Sequence, residues 1–121
     1  MLNCLLVGAG GFVGSVCRYL IGLLPVGSEN GFPVKTLVIN VLGAFIISLI
    51  AALAAKHESF DPRLVLMLKV GVCGGFTTFS TFAYESVTLF QQGKGAAALV
   101  YMLLSVCLSL LAVTAGQMAV S

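Results

Sequence analysis

The chain lacks the charged residues with which a soluble protein covers its surface. Only 8% of its 121 residues are Asp, Glu, Lys or Arg, whereas 60% are hydrophobic and there is no Trp. A soluble domain has about 25% charged and about 45 to 50% apolar residues. The composition therefore excludes a water-soluble domain and predicts a membrane protein whose surroundings are the lipid bilayer.

Two further shortages exclude other classes of function. Six Lys and Arg against four Asp and Glu give a net charge of +2, which is too small for a nucleic-acid-binding surface. We therefore expect no nucleic-acid partner. The four cysteines fall in apolar segments without the close spacing of a metal or redox motif, so we interpret them as packing residues.

Four long apolar runs account for nearly all of the chain. A membrane-spanning helix needs about 20 apolar residues, so four spans with short loops leave no room for a second domain. We predict one all-α transmembrane domain over residues 1–121, with spans at about 2–24, 36–55, 63–90 and 96–118. Asp61 followed by Pro62 is typical of a helix start and predicts where the third helix begins.

A glycine-rich segment of the first span has two interpretations. It is similar to the turn of a dinucleotide-binding fold, which needs an acidic residue about 20 positions further on. Glu29 lies at that distance, but in a Gly- and Pro-rich loop. In a membrane helix, Gly10 with Gly14 and Gly11 with Ser15 form pairs of small residues that allow another helix to approach closely. We therefore predict a helix-packing face.

Polar side chains within the spans are costly in a membrane and mark functional sites by default. Asn40 lies near the start of the second span, and its amide either joins two helices or belongs to a site. Tyr101, Ser105 and Ser109 recur every four residues and share one face of the fourth helix. Their hydroxyls either form a row of donors or bond to carbonyls of their own helix.

The third span contains the most informative segment, GGFTTFSTF over residues 74–82. Paired glycines followed by hydroxyl and aromatic residues predict a helix broken at Gly74 and Gly75. Such a break is tolerated at membrane depth only where protein buries it or where it lines an aqueous path. It frees carbonyls that attract cations and N–H groups that attract anions. The plainer alternative is a glycine hinge that serves packing.

The groups around the predicted break suit an anion. Glu85 is the one acidic residue inside a span, so the chain lacks the central proton relay usual in proton-coupled transporters. The sequence therefore predicts passive conduction of a small, strongly hydrated anion. The candidate donors are the hydroxyls of Thr77, Thr78, Ser80 and Thr81, the amide of Asn40 and the ring edges of Phe79 and Phe82.

At these residues the chain resembles the Fluc (CrcB-type) family of bacterial fluoride channels. The resemblance is carried by GSVCRY at 14–19, TLVINVLG at 36–43 and GGFTTFSTF at 74–82 with Glu85, and it covers essentially the whole chain. It implies a fluoride-selective channel, not an enzyme, in the bacterial inner membrane. It also implies a dual-topology homodimer of antiparallel subunits, with a structural Na⁺ at the dimer interface.

The resemblance further implies a role for each candidate residue. The backbone carbonyls of Gly74 and Thr77 are expected to bind Na⁺, and Arg18 and Glu85 are expected at a pore vestibule. The fluoride pathway is expected to comprise Asn40, Phe79, Phe82, Ser80, Thr81, Tyr101, Ser105 and Ser109.

The distribution of positive charge favours dual topology independently of the resemblance. With four spans, three basic residues fall on each side of the membrane, so the positive-inside rule has no asymmetry to act on. Either orientation is then about equally favourable. The two sets are Lys56, Arg63 and Lys69 on one side and Arg18, Lys35 and Lys94 on the other.

Two other functions remain as alternatives. A four-span exporter of the small multidrug type has the same length and dual topology, but it depends on a Glu within the first span. Residues 2–24 contain no acidic residue. A subunit that assembles without transporting anything is the third interpretation. We expect the fluoride channel.

Overall fold

The computed structural model describes residues 1–27 and 31–121, and in this part of the chain there are helices and loops but no strands. Glu29, the acidic residue of the rejected nucleotide interpretation, lies outside the described residues. Four helical segments are long and apolar enough to cross a bilayer, at Leu2–Gly22, Val34–Lys56, Pro62–Gln91 and Gly95–Val120. The prediction of an all-helical chain with four apolar spans is confirmed.

The helix α1, Leu2–Gly22, packs against the first half of the third span through its small residues. Gly10 and Gly14 are the buried residues of α1. A Cβ atom at Gly10 would lie 2.5 Å from the carbonyl oxygen of Met67, a distance too short for any side chain. The predicted helix-packing face is confirmed, and glycine is required there because backbone lies directly against backbone.

The third span is assembled from four helical pieces. The short helix α3, Pro62–Leu66, is followed by a π-helix, Met67–Cys73, then by α4, Gly74–Phe76, and α5, Phe79–Gln91. Asp61 caps α3 as its sequence position predicts, because its Oδ1 accepts a hydrogen bond from the Arg63 backbone N–H at 2.9 Å. The sequence gives no signal for the wide π-helical turn.

The helix breaks at Thr77 and Thr78, and the prediction that it breaks at Gly74 and Gly75 is wrong. Both glycines are in α4, whereas Thr77 and Thr78 have extended backbone, with ψ values of 158° and 115°. β-Branched residues favour extended backbone, and the Thr78 Oγ1 caps α5 by accepting from the Thr81 N–H at 3.2 Å. The threonines therefore make the break.

The helices α2, Val34–Lys56, and α6, Gly95–Val120, run parallel and pack along their length. A Cβ atom at Gly116, about one turn before the end of α6, would lie 2.9 Å from the carbonyl oxygen of Phe45 near the middle of α2. At their ends, the Lys56 Nζ donates to the Val120 carbonyl at 2.8 Å. This pairing brings the polar residues of α6 beside Asn40 of α2.

Candidate functional site

A groove of about 450 Å³ lies between α2, the break and α6. It brings together eight of the candidate residues that the sequence singles out, although they come from three different spans. Its described lining residues are Asn40, Gly43, Ala44, Ile47, Cys73, Gly74, Thr77, Thr78, Phe79, Phe82, Ser105, Val106, Ser109 and Leu110.

Asn40 holds the break in place with both ends of its side-chain amide. Its Nδ2 donates to the Thr78 carbonyl at 3.0 Å, and its Oδ1 accepts from the Thr78 N–H at 2.8 Å. Asn40 therefore joins α2 to the break, which is the first of its two predicted roles. A side-chain amide has two N–H donors, so the second N–H remains available beside the groove.

The break leaves the carbonyls of Gly74 and Thr77 without their helical partners. In a continuous helix these carbonyls accept from the N–H groups four residues further on. Here the Thr78 N–H bonds to Asn40, and the Thr81 N–H bonds to the Thr78 hydroxyl. The Thr77 hydroxyl donates its hydrogen bond to the Cys73 carbonyl at 2.9 Å. Within the part of the chain that the structure describes, neither carbonyl accepts another hydrogen bond across elements, and both residues line the groove. Spare carbonyl oxygens of this kind are the ligands that unwound membrane helices offer to Na⁺.

The aromatic rings of Phe79 and Phe82 lie on one face of α5, as their spacing predicts. Their centroids are 5.7 Å apart with 52° between the ring planes. Phe79 is 78% exposed in a single chain, whereas Phe82 is half-buried. Because both residues line the groove, their ring edges form an apolar but positively polarised wall.

The hydroxyl stripe of α6 faces into the protein. Tyr101 is 0% exposed and Ser105 is 7% exposed. Within the described residues the Oγ of Ser105 has no hydrogen-bond partner, so the alternative in which this hydroxyl bonds to its own helix is wrong. A buried hydroxyl without a partner costs about 1 to 3 kcal/mol. This hydroxyl is therefore a donor that a ligand in the groove could accept from.

Glu85 accepts two hydrogen bonds from hydroxyl groups. The Thr36 Oγ1 donates to its Oε2 at 3.1 Å, and the Tyr101 hydroxyl donates to its Oε1 at 3.0 Å. Our candidate residues did not include Thr36. Its position one helical turn before Asn40 on the same face of α2 is the signal that could have found it.

A second cavity, of about 460 Å³, lies beyond this cluster, and we call it the outer cavity. Its described lining comprises residues 25–27 and 31–36 together with Glu85. Tyr101 lies between the two cavities. Its ring contacts Phe82 of the groove, with centroids 5.2 Å apart, and Phe32 of the outer cavity, with centroids 5.6 Å apart.

Five of the candidate residues are not in the groove lining, namely Tyr101, described above, and Ser80, Thr81, Arg18 and Glu85. Ser80 is exposed, and the Thr81 hydroxyl accepts from the Thr78 Oγ1 at 3.0 Å. Arg18 donates from its Nε to the Gly75 carbonyl at 3.2 Å, which places it between α1 and α4. Glu85 lines the outer cavity, a location compatible with its expected place at a vestibule.

Comparison with known proteins gives one family match and several relatives that share one name. The family model described as CrcB-like protein, Camphor Resistance (CrcB), matches residues 5–117. The fluoride-specific ion channel FluC of Ruminiclostridium cellulolyticum is 44% identical over 119 residues, which cover 98% of this chain and 92% of that protein. The protein of the same name from Chlorobaculum tepidum is 48% identical over 101 residues, which cover 84% and 80%. That from Agrobacterium fabrum is 42% identical over 118 residues, which cover 96% and 94%. The chain therefore belongs to the CrcB-like family.

Proposed function

We propose that this chain forms a fluoride-selective channel of the bacterial inner membrane, which releases fluoride passively and protects the cell from its toxicity. The buried hydroxyl of Ser105, which has no partner among the described residues and lines the groove, carries this proposal. The function of the relatives named FluC supports it. No covalent chemistry is required.

The groove suits fluoride because its donors are neutral and closely spaced. A fluoride ion leaves water only where other donors replace its lost hydrogen bonds, and larger halides fit poorly among such donors. Asn40, Ser105 and Ser109 offer polar groups, and the edges of two phenylalanine rings lie beside them. Neutral donors also allow the release that conduction requires, whereas a fixed positive charge at the narrowest point would retain the anion.

The conduction path continues from the groove to the outer cavity. Tyr101 separates the two cavities, and its hydroxyl donates a hydrogen bond to Glu85. An anion that reaches Tyr101 must replace Glu85 as the acceptor of this hydroxyl. Thr36 donates to the other oxygen of the same carboxylate, so Glu85 keeps one hydrogen-bond donor during the exchange.

The two spare carbonyls at the break fit a structural Na⁺. Gly74 and Thr77 would hold it, and the bound ion would supply positive charge close to the fluoride path. Na⁺ takes several oxygen ligands, and one chain offers two carbonyls at this place. A second copy therefore completes the site, at the interface of a homodimer.

An antiparallel arrangement explains why the groove is open in a single chain. Phe79 is 78% exposed at its mouth, and a second subunit would cover this ring and complete the pore wall. Equal numbers of basic residues on the two sides of the membrane favour insertion in both orientations. We therefore propose a dual-topology homodimer with two pores.

The topology is tested with reporter tags fused after Ser121. We expect tags on the C-terminus to be detected on both faces of the membrane, because three basic residues fall on each side and favour neither orientation. Adding two lysines to the loop around Glu58 should shift the population toward one orientation. A single orientation of the unmodified chain would contradict the proposal.

The function is tested with purified protein in liposomes loaded with fluoride or with chloride, and with efflux followed by ion-selective electrodes. We expect fluoride release without chloride release. Ser105→Ala should lower the fluoride rate roughly tenfold, because a hydrogen bond to an anion contributes about 1.5 kcal/mol or more.

Thr114→Val is the matched control for Ser105→Ala. Thr114 is an exposed hydroxyl residue of the same helix, and its Oγ1 already donates to the Leu110 carbonyl at 3.0 Å. We expect its removal to leave the fluoride rate unchanged. Chloride release comparable to that of fluoride would refute the selectivity argument, and equal rates for the two variants would remove Ser105 from the path.

A further inference from the structure

Arg18 contacts the broken helix on the side opposite to the groove. Its Nε donates to the carbonyl of Gly75 at 3.2 Å, and the side chain is half-buried. In a continuous helix this carbonyl would accept from the N–H of Phe79. Phe79 instead begins α5, beyond the extended residues of the break. Arg18 thus supplies the Gly75 carbonyl with a donor in place of the Phe79 N–H.

Arg18 is the last residue of a row on α1 that lies against Gly75. Gly11, Ser15 and Arg18 are four and three residues apart and therefore share one helix face. A Cβ atom at Gly75 would lie 2.6 Å from the Gly11 carbonyl oxygen and 3.1 Å from the Ser15 Oγ. The backbone of α1 therefore lies directly against Gly75, and the hydrogen bond from Arg18 holds the Gly75 carbonyl.

The hydrogen bond to the Gly75 carbonyl also holds Gly74, because both residues belong to the short helix α4. All carbonyls of an α-helix point toward its C-terminal end and successive residues are rotated by about 100° about the axis, so the Gly74 carbonyl emerges at the same end of α4 as that of Gly75 but on a different side. Gly74 accordingly lines the groove. Asn40 holds the other side of the break through Thr78. The spare carbonyls therefore lie between two side-chain anchors from different helices.

We infer that Arg18 is a positioning residue for the cation site at the break, and that it acts through the Gly75 carbonyl. This inference rests on the Na⁺ site of the proposed function. It differs from the expectation that Arg18 attracts anions to a vestibule, because attraction depends on charge alone. Positioning depends on an N–H donor at the place of Nε.

Two substitutions at Arg18 separate these roles. Arg18→Gln removes the charge but keeps an N–H donor, because the Nε2 of glutamine is as many bonds from Cα as the Nε of arginine. Arg18→Met removes both the charge and the donor. Lys56→Met is the control for loss of a positive charge elsewhere, since the exposed Lys56 Nζ bonds to the Val120 carbonyl at the end of α6 and lines neither cavity.

The readout is thermal unfolding of the purified dimer over a series of Na⁺ concentrations, with N-methylglucamine keeping the ionic strength constant. We expect Na⁺ to raise the unfolding temperature of the wild type and of Lys56→Met with the same midpoint. Arg18→Gln should keep this midpoint within about threefold, whereas Arg18→Met should raise it roughly tenfold, the effect of about 1.4 kcal/mol.

Equal midpoints for Arg18→Met and the wild type would overturn the inference, even if fluoride efflux were lower. Equal, large increases for Arg18→Met and Arg18→Gln would also overturn it, because the charge would then be decisive. A wild type without any Na⁺ dependence would refute both the proposed cation site and the inference, whereas fluoride efflux would still report on the channel itself.

A third substitution keeps the test decisive if Arg18→Met yields no dimer. Arg18→Lys retains the charge, but its ammonium lies one bond beyond the position of Nε. Positioning predicts weaker stabilisation by Na⁺ in Arg18→Lys than in Arg18→Gln. A role of the charge predicts the reverse order, which would overturn the inference.

Discussion

Replacing Phe79 with Ile is expected to abolish most of the fluoride efflux and to leave a folded dimer. The ring of Phe79 lines the groove, is 78% exposed in the single chain and lies 5.7 Å from that of Phe82. Isoleucine keeps the apolar bulk but has no ring quadrupole, so it offers the anion no positive edge. We expect the efflux rate to fall roughly five- to tenfold, since ring contacts contribute roughly 1 to 1.5 kcal/mol.

Phe90→Ile provides the matched control for this prediction. Phe90 is an exposed phenylalanine near the far end of the same helix, and it does not line the groove. Its replacement tests the general effect of losing a ring from α5. Fluoride efflux measured with an electrode and gel filtration of the purified protein should show a dimer in both variants and reduced efflux in Phe79→Ile alone. Normal efflux in Phe79→Ile would remove that ring from the conduction path.

The parts of the structure that depend on local sequence were predictable. Four spans follow from the length of the apolar runs, and the glycine face of α1 follows from the spacing of Gly10 and Gly14. The start of α3 follows from the capping preference of Asp61. Each of these features depends on residues close together in the chain, so hydrophobicity and helical periodicity suffice.

The position of the break could not be predicted because it depends on contacts between helices. Gly74 and Gly75 are helical because α1 holds this segment, with the Gly11 carbonyl directly against Gly75. The chain becomes extended where Asn40 of another span accepts the Thr78 N–H. Glycine is flexible in isolation, but the partner available to each backbone group decides which residues leave the helix.

The sequence allowed us to predict which residues belong to the candidate site, but not which of them contact each other. Asn40, Phe79, Phe82 and Ser105 stand out because polar or paired aromatic residues are unusual within a span, and all of them line the groove. The outer cavity and the contact of Thr36 with Glu85 involve loops and helices that are distant in sequence. Spacing within one helix carries no information about such contacts.

Asn40→Leu is expected to destabilise the protein and to eliminate fluoride efflux. Leucine has the same branched side-chain skeleton, but it removes both hydrogen bonds to Thr78, at 3.0 and 2.8 Å. The Thr78 N–H and carbonyl then have no partner at membrane depth, which costs about 1 to 3 kcal/mol for each group. The same change removes the amide donor beside the groove. We expect a lower unfolding temperature of the purified dimer and no fluoride efflux above background.

Two further variants separate the structural effect of this amide from its role in conduction. Asn40→Asp keeps the acceptor for the Thr78 N–H but loses the donor and adds a negative charge at the groove. Its unfolding temperature should lie between those of the wild type and Asn40→Leu, and its fluoride efflux should be absent because like charges repel. Ser48→Ala removes a hydroxyl that bonds to the Phe45 carbonyl of its own helix at 2.8 Å. It should change neither property substantially. An Asn40→Leu protein that conducts fluoride and unfolds at the wild-type temperature would show that the two hydrogen bonds between Asn40 and Thr78 are not what holds the break.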